Sequence, residues 1–227
     1  MVDIKELKEK EKERRSNFII DAAEKQFFAK GYDTVSMDDI AAEVGLSKAA
    51  LYRYFETKEA LYFAIVLRGT RILAAMLREG MDNAPTNIEK VTAYRDVGDQ
   101  FAKDYADYQK CCYFLMSGRF DPASIMANKD IQEMGLMLGE MYTRFRNAIQ
   151  AGIEDGSIRS DVEPEEIAVL LTMISDGINN MRSDLLMILA SRGIDKEKFS
   201  RDVKRLIAAM ITNTGKNGGP EGSHRGD

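Results

Sequence analysis

Histidine is almost absent from this 227-residue sequence: His224, in a glycine-rich stretch, is the only one. Its scarcity argues against Ser-His-Asp and Cys-His nucleophilic sites, His-ligated zinc and HExxH helices. Cysteine is nearly as rare. Cys111 and Cys112 are the only two, and sequence neighbours almost never bridge each other, so buried inert thiols are expected. There is no GxGxxG and no phosphate loop ending in GK[ST]. Carboxylates and lysines remain as catalytic groups, but no spacing singles out a pair of them. The sequence is therefore expected not to be an enzyme, with a helical enzyme kept as the alternative, and neither cofactor nor metal is expected. Long apolar runs are missing as well. The longest, Ala60 to Leu67, falls far short of the roughly 18 residues a membrane span needs.

No excess of basic charge is available to hold a nucleic acid, because the net charge is −5. Residues 1–58 carry 11 Lys and Arg against 12 Asp and Glu, and the remainder carries 21 against 25. Any nucleic-acid contact must come from a local arrangement of cations. The balance of 44% hydrophobic and 30% charged residues is that of a globular chain of one large or two small domains. The opening Met1-Val2-Asp3-Ile4-Lys5 carries no apolar leader segment, so a cytoplasmic protein without membrane contact is expected.

Helical periodicity runs almost throughout, and Pro85, Pro122, Pro164 and Pro220 punctuate it. From about Ile4 to Lys30, Ile20, Ala23 and Phe27 form a core stripe, and Gly31 ends the helix. Ahead of that stripe, Lys5, Lys8, Lys12 and Arg15 share one face, apart from Glu6, Glu9 and Glu13. This pattern fits solvated ion pairs or, alternatively, a basic edge that touches phosphates. After Thr214 only Gly, Lys, Asn, Pro and other polar residues follow, and a disordered tail is expected at 215–227. The closing Arg225-Gly226-Asp227 is read as a chance likeness to an adhesion tripeptide.

Chemistry concentrates between Thr34 and Lys58. Ser36 and Asp39 form a capping-box pattern, and Ser47 offers a second cap before Lys48-Ala49-Ala50-Leu51-Tyr52. Gly45 supplies the positive φ of a tight turn, and Ala41 is small where two helices must cross. Ile40, Val44, Leu46 and Leu51 close a miniature core, so the stretch reads as a helix-turn-helix. On the second helix, Ala49 and Ala50 do not obstruct approach to a major groove. Lys48 opposes the helix dipole, a placement explained by phosphate or base acceptors nearby. Tyr52, Arg53, Tyr54 and Lys58 add donors suited to phosphate oxygens. An ordinary helical hairpin with half-buried tyrosines is the competing reading.

Gly31-Tyr32, Ser36-Met37-Asp38-Asp39-Ile40-Ala41, Val44-Gly45-Leu46-Ser47, Leu51-Tyr52-Arg53-Tyr54-Phe55 and Thr57-Lys58-Glu59 resemble the DNA-binding domain of the TetR family of transcriptional regulators. The likeness extends from about Arg15 to Ala64, roughly a quarter of the chain. It implies an all-α homodimer with a three-helix DNA-binding head, a larger helical body that binds a small-molecule inducer, and a palindromic double-stranded operator. It places groove reading at Ser47, Lys48, Ala49 and Ala50, and phosphate contact at Thr34, Ser36, Tyr52, Tyr54 and Lys58. The expected domains are a head at 1–58 and a body at 59–214. The expected function is a repressor released from its operator by a small, mainly apolar ligand. A DNA-binding protein of the same fold, governed by a protein partner or by nothing, is the alternative.

Two features of the body carry expectations of their own. Ile167, Leu171, Ile174, Ile178, Met181, Leu185 and Ile188 recur at spacings of four and three between Pro164 and Arg192, as a heptad seam does. Phe199, Val203, Leu206 and Met210 repeat the pattern, and both runs are expected at a dimer interface, with pairing inside one chain as the alternative. Tyr94, Phe101, Tyr105, Tyr108, Tyr113, Met137, Met141 and Phe145, with Met76 on the helix that follows Lys58, are expected to line a ligand pocket rather than plain core. Gly135 and Gly139 sit four apart within a helix, each at a cost of about 1 kcal/mol against alanine, which a close backbone approach would justify.

Overall fold

The computed structural model describes residues 4–213, and among these the regular structure is helical apart from one isolated bridge between Ile158 and Thr212. The helices are α1 (Ile4–Lys30), α2 (Met37–Glu43), α3 (Lys48–Tyr52), α4 (Lys58–Asp82), α5 (Asn87–Asp104), α6 (Ala106–Leu115), α7 (Pro122–Ala127), α8 (Lys129–Glu154), α9 (Pro164–Asn179), α10 (Ser183–Ala190) and α11 (Lys196–Ile211). Side chains at their starts explain several of the boundaries. Ser36 accepts from the Asp39 amide while its own amide donates to Asp39, a complete capping box. Ser47, Asp121 and Asp195 cap α3, α7 and α11, and Pro164 opens α9. The expected tail, with His224 and the Arg-Gly-Asp tripeptide, lies outside the described residues.

Packing divides the described chain into two compact units, residues 4–74 with 103–138 and residues 75–102 with 139–213. This is not the expected division after residue 58. The three N-terminal helices share their core with α4 and α6, where rings of α1, α4 and α6 meet those of the loop residues Tyr32 and Phe120. Phe120 packs edge-on against Tyr32, Phe63 and Phe114 at 5.3, 5.2 and 5.6 Å, and lies near-parallel to Tyr62 at 5.7 Å. The run Leu61–Leu67 of α4 is buried among them. By length and composition α4 could cross a membrane, but most of its apolar face is covered within the fold, as in the core helix of a globular protein.

The second unit is built on aliphatic residues: Val91, Ile149, Ile158, Ile167, Leu171, Ile207 and Ile211, with Phe145 beneath them. This core corrects the expected seam. Ile167, Leu171 and Ile178 are buried within the protomer, and Ile174 and Val203 pack against the same core. The 4-3 stripe of α9 is needed to close the chain's own interior against α11, so it is not available to a partner. The run is also broken: α9 ends at Asn179, and α10 starts anew at Ser183, where Arg182 pairs with Asp184 at 2.5 Å. Asparagine pairs such as Asn179-Asn180 are weak helix formers. Leu185, Ile188, Leu206 and Met210 are exposed, and Met181 and Phe199 are half-buried. Exposed beside them in the sequence, and missed by the period, are Val169, Leu170 and Met173 on the other side of α9.

Gly135 and Gly139 also depart from expectation. A Cβ at either would meet nothing within 4 Å, so no close backbone approach accounts for them.

Candidate nucleic-acid interface

The α2–α3 pair is locked from inside. Ile40, Ala41 and Leu51 are buried, Val44 and Leu46 pack against them, and Gly45 takes φ +66° at the turn. The Leu46 amide donates to the Ala41 carbonyl at 2.9 Å, tying the end of the turn back onto α2. With its inner side committed, α3 presents the rest outward. Ser47, Lys48, Ala49, Tyr52 and Arg53 are exposed and Ala50 is half-buried. Thr34 and Ser36 are exposed on the approach to α2, whereas Tyr54 is half-buried against the core. The residues expected to meet DNA thus lie on one helix-turn-helix and its immediate flanks.

Two of the expected cations are engaged within the chain. Lys48 donates to Asp38 at 2.9 Å, and that hydrogen bond raises its pKa. Both side chains are exposed, where solvent screens the pair, so a phosphate competes readily with Asp38. The Lys58 ammonium lies 4.2 Å from the centre of the Tyr32 ring, a cation–π contact. The Tyr32 hydroxyl in turn donates to Glu59 at 3.0 Å; burial first, and that carboxylate second, push its pKa up. Arg53, like Lys48, stands exposed. Sequence spacing could not reveal Asp38 or Tyr32 as partners, because each meets its lysine only through the fold.

On α1, Lys10 pairs with Glu6 at 2.7 Å, and Arg15 with Glu11 at 3.2 Å.

The residues expected around a ligand do not come together in one compact unit. Tyr105, Tyr108, Tyr113 and Met137 belong to the first, and Met76, Tyr94, Phe101, Met141 and Phe145 to the second. Tyr108 donates to Glu24 at 2.8 Å and packs edge-on against Phe28; burial, then that hydrogen bond, push its pKa to about 12. Tyr113 accepts from Gln109 at 3.1 Å. Tyr94 stacks on Phe145 at 3.9 Å, and Phe101, Met141 and Phe145 are buried. These three, with Tyr94, serve as core. Burial keeps Cys112 up at about 11 and raises Cys111 too, so neither is a ready thiolate.

Residues 19–65 match the family model of bacterial regulatory proteins of the tetR type, over the capped helix-turn-helix just described. Residues 19–65 thus form a TetR-type DNA-binding domain. Among TetR-type relatives, the transcriptional activator FasR of Mycolicibacterium smegmatis is 35% identical over 81 residues, 36% of each chain. The transcriptional repressor KstR2 of Rhodococcus jostii is 28% identical over 162 residues, 68% of this chain and 72% of that one. The chain spans about a third of the length of the first of these. Both are named as transcriptional regulators rather than enzymes. The structure of AibR, solved with isovaleryl coenzyme A and operator DNA, superposes with a TM-score of 0.63 at 17% identity, covering 88% of this chain and 98% of that one. At that identity the likeness is one of fold, and it agrees with the all-α architecture found here.

Proposed function

We propose that the chain is a cytoplasmic, dimeric DNA-binding regulator of transcription, a repressor released from a palindromic operator by a small molecule. The observation that carries the DNA-binding part is the outward side of α3: a Ser47-capped helix with Ala49 accessible, flanked by Lys48, Tyr52 and Arg53 and backed by a buried core. On this reading Ser47, Lys48, Ala49 and Ala50 face base edges, while Thr34, Ser36, Tyr52, Arg53 and Tyr54 hold phosphates. Lys58 joins them by leaving the Tyr32 ring.

The dimer reading is supported by apolar side chains left in solvent on α9, α10 and α11: Met173 at 66% exposure, Ile188 at 62% and Leu206 at 70%. A second copy of the chain covers them. The repressor reading follows KstR2, the relative matched over the greater length, and the effector reading is supported by neighbours solved with isovaleryl coenzyme A and with choline.

Selection of binding sites from random duplexes by the full chain tests the proposal. It is expected to return an inverted repeat with half-sites about 34–36 Å apart or a multiple of that. Arg53→Ala should lower the slope of log affinity against log salt by about one unit without changing the preferred sequence. Failure to enrich any sequence at low salt refutes DNA-binding regulation.

A further inference from the structure

The second unit contains a cavity of about 70 Å³ beside α5, α9 and α11. Its walls are aliphatic, formed by Val91, Leu171 and Ile207, yet two cations, Arg95 and Lys204, also line it. Arg95 is only 7% exposed, and its Nη2 has no hydrogen-bond partner. The charged groups nearby explain why. Asp96 and Asp99 both turn to Lys204, at 2.5 and 3.5 Å, and Ser200 donates to Asp99 at 3.5 Å. Asp99 approaches Arg95 no closer than 3.9 Å, and its Oδ1 is itself unpaired. Burial accordingly holds the Arg95 guanidinium below its ordinary pKa, against the pull of both carboxylates. A buried, unsatisfied charged donor is costly and calls for an acceptor.

We infer that this cavity binds a short-chain aliphatic carboxylate, its anionic oxygen accepting from the Arg95 guanidinium and its chain lying against Val91, Leu171 and Ile207. Water alone is a poor occupant, because a buried water needs two to four polar partners and these walls offer few. Thr92, also on the lining, spends its hydroxyl proton on the Ile88 carbonyl. An apolar cavity of about 150 Å³ holds benzene, so one of half that size takes a chain of about two to four carbons. This concerns binding alone and is independent of operator release.

Calorimetric titration of the full chain with butyrate, and with the neutral isostere butyramide, tests it. Butyrate is expected to bind one per chain with a Kd of about 1 mM or tighter. Butyramide should bind about 10- to 100-fold more weakly, for want of the charge-assisted hydrogen bond. Ala208→Leu, which fills the cavity from a residue on its lining, should abolish butyrate binding, as should Arg95→Met. Should Arg95→Met fail to fold, the isosteric pair and Ala208→Leu still decide the matter. Absence of saturable butyrate binding, equal binding of acid and amide, or binding that survives Ala208→Leu overturns the inference and leaves Arg95 to ordered water.

Discussion

The two compact units solve the same burial problem with different side chains. The first gathers Phe27, Tyr32, Tyr62, Phe63, Phe114 and Phe120 into one aromatic cluster, whose tyrosines find directed partners: Tyr32 with Glu59, and Tyr62 with the Cys111 carbonyl. The second relies on Ile, Val and Leu, with Tyr94 on Phe145 as its stacked pair. Ring edges and hydroxyls fix orientation as well as distance. The unit that must hold α3 at a set angle is thus the one with directional packing. The aliphatic unit tolerates an open cavity and a poorly paired arginine, and it leaves apolar side chains in solvent on its outer helices.

The sharpest way to break this comparison is Phe120→Ala. The sequence-based boundary after residue 58 puts Phe120 in the body, but its ring meets four rings of the first core. Truncation should cost about 3–5 kcal/mol. Hydrogen exchange should show α2 and α3 losing protection while α9 and α11 keep theirs. Protection unchanged in α2 and α3 would mean that the three-helix head is stable without α6 and α7.

Next in size is a pair on one helix, Leu171→Ala and Met173→Glu. Leu171 is buried and Met173 is 66% exposed, two residues apart. Leu171→Ala should cost about 2–5 kcal/mol of folding stability. Met173→Glu should leave folding almost unchanged but weaken self-association about 100-fold or more, since an unpaired carboxylate buried at an interface costs about 3 kcal/mol or more. Sedimentation and chemical denaturation separate the two effects. A dimer undisturbed by Met173→Glu would remove α9 from the interface.

That pair also marks where sequence reading reached its limit. Capping boxes, the Gly45 turn and the inner residues of α2 and α3 are local, each fixed by neighbours within a few positions, and all were legible. The α9 stripe was legible as apolar, but period alone cannot tell a face that meets the chain's own α11 from one that meets another molecule. For that reason the period fits Ile167, Leu171 and Ile178 equally to a dimer seam and to the interior where they lie. Tyr94 and Phe145 lie 51 positions apart, and nothing local distinguishes a stacked core pair from two walls of a pocket. Arg95 was invisible altogether, since a cation four residues before Asp99 reads as an ordinary helical ion pair.

A smaller effect comes from pH. Burial raises the Glu24 carboxyl above its ordinary 4.5, although the Tyr108 hydroxyl and the Arg68 guanidinium pull it down. A carboxyl raised on folding holds its proton more tightly when folded. Its stabilising contribution is therefore whole below pH 4.5 and is lost as pH rises through the folded value. Glu24→Gln should flatten the fall in stability of the first unit above pH 4.5. The second unit keeps its own slope through Asp176, which burial also raises. Denaturation midpoints followed across pH by exchange in α1 and α9 check this. An unchanged slope at α1 would show that Glu24 is not the group responsible.

The smallest effects discriminate most finely, because Gly135 and Gly139 fall on opposite sides of the division between units within a single helix, α8. Each occupies open space, and neither takes a positive φ, so alanine fits both without strain. Replacement should then stabilise by up to about 1 kcal/mol, through the conformational entropy that glycine loses on entering a helix. If the two units unfold as separate cooperative blocks, Gly135→Ala should raise the midpoint of the first alone and Gly139→Ala that of the second. Equal shifts in both would make α8 a rigid coupling between them, and the chain one cooperative unit. A loss of stability at either site would contradict the open surroundings of that glycine and point to a second molecule lying close against α8, where a methyl group cannot be accommodated.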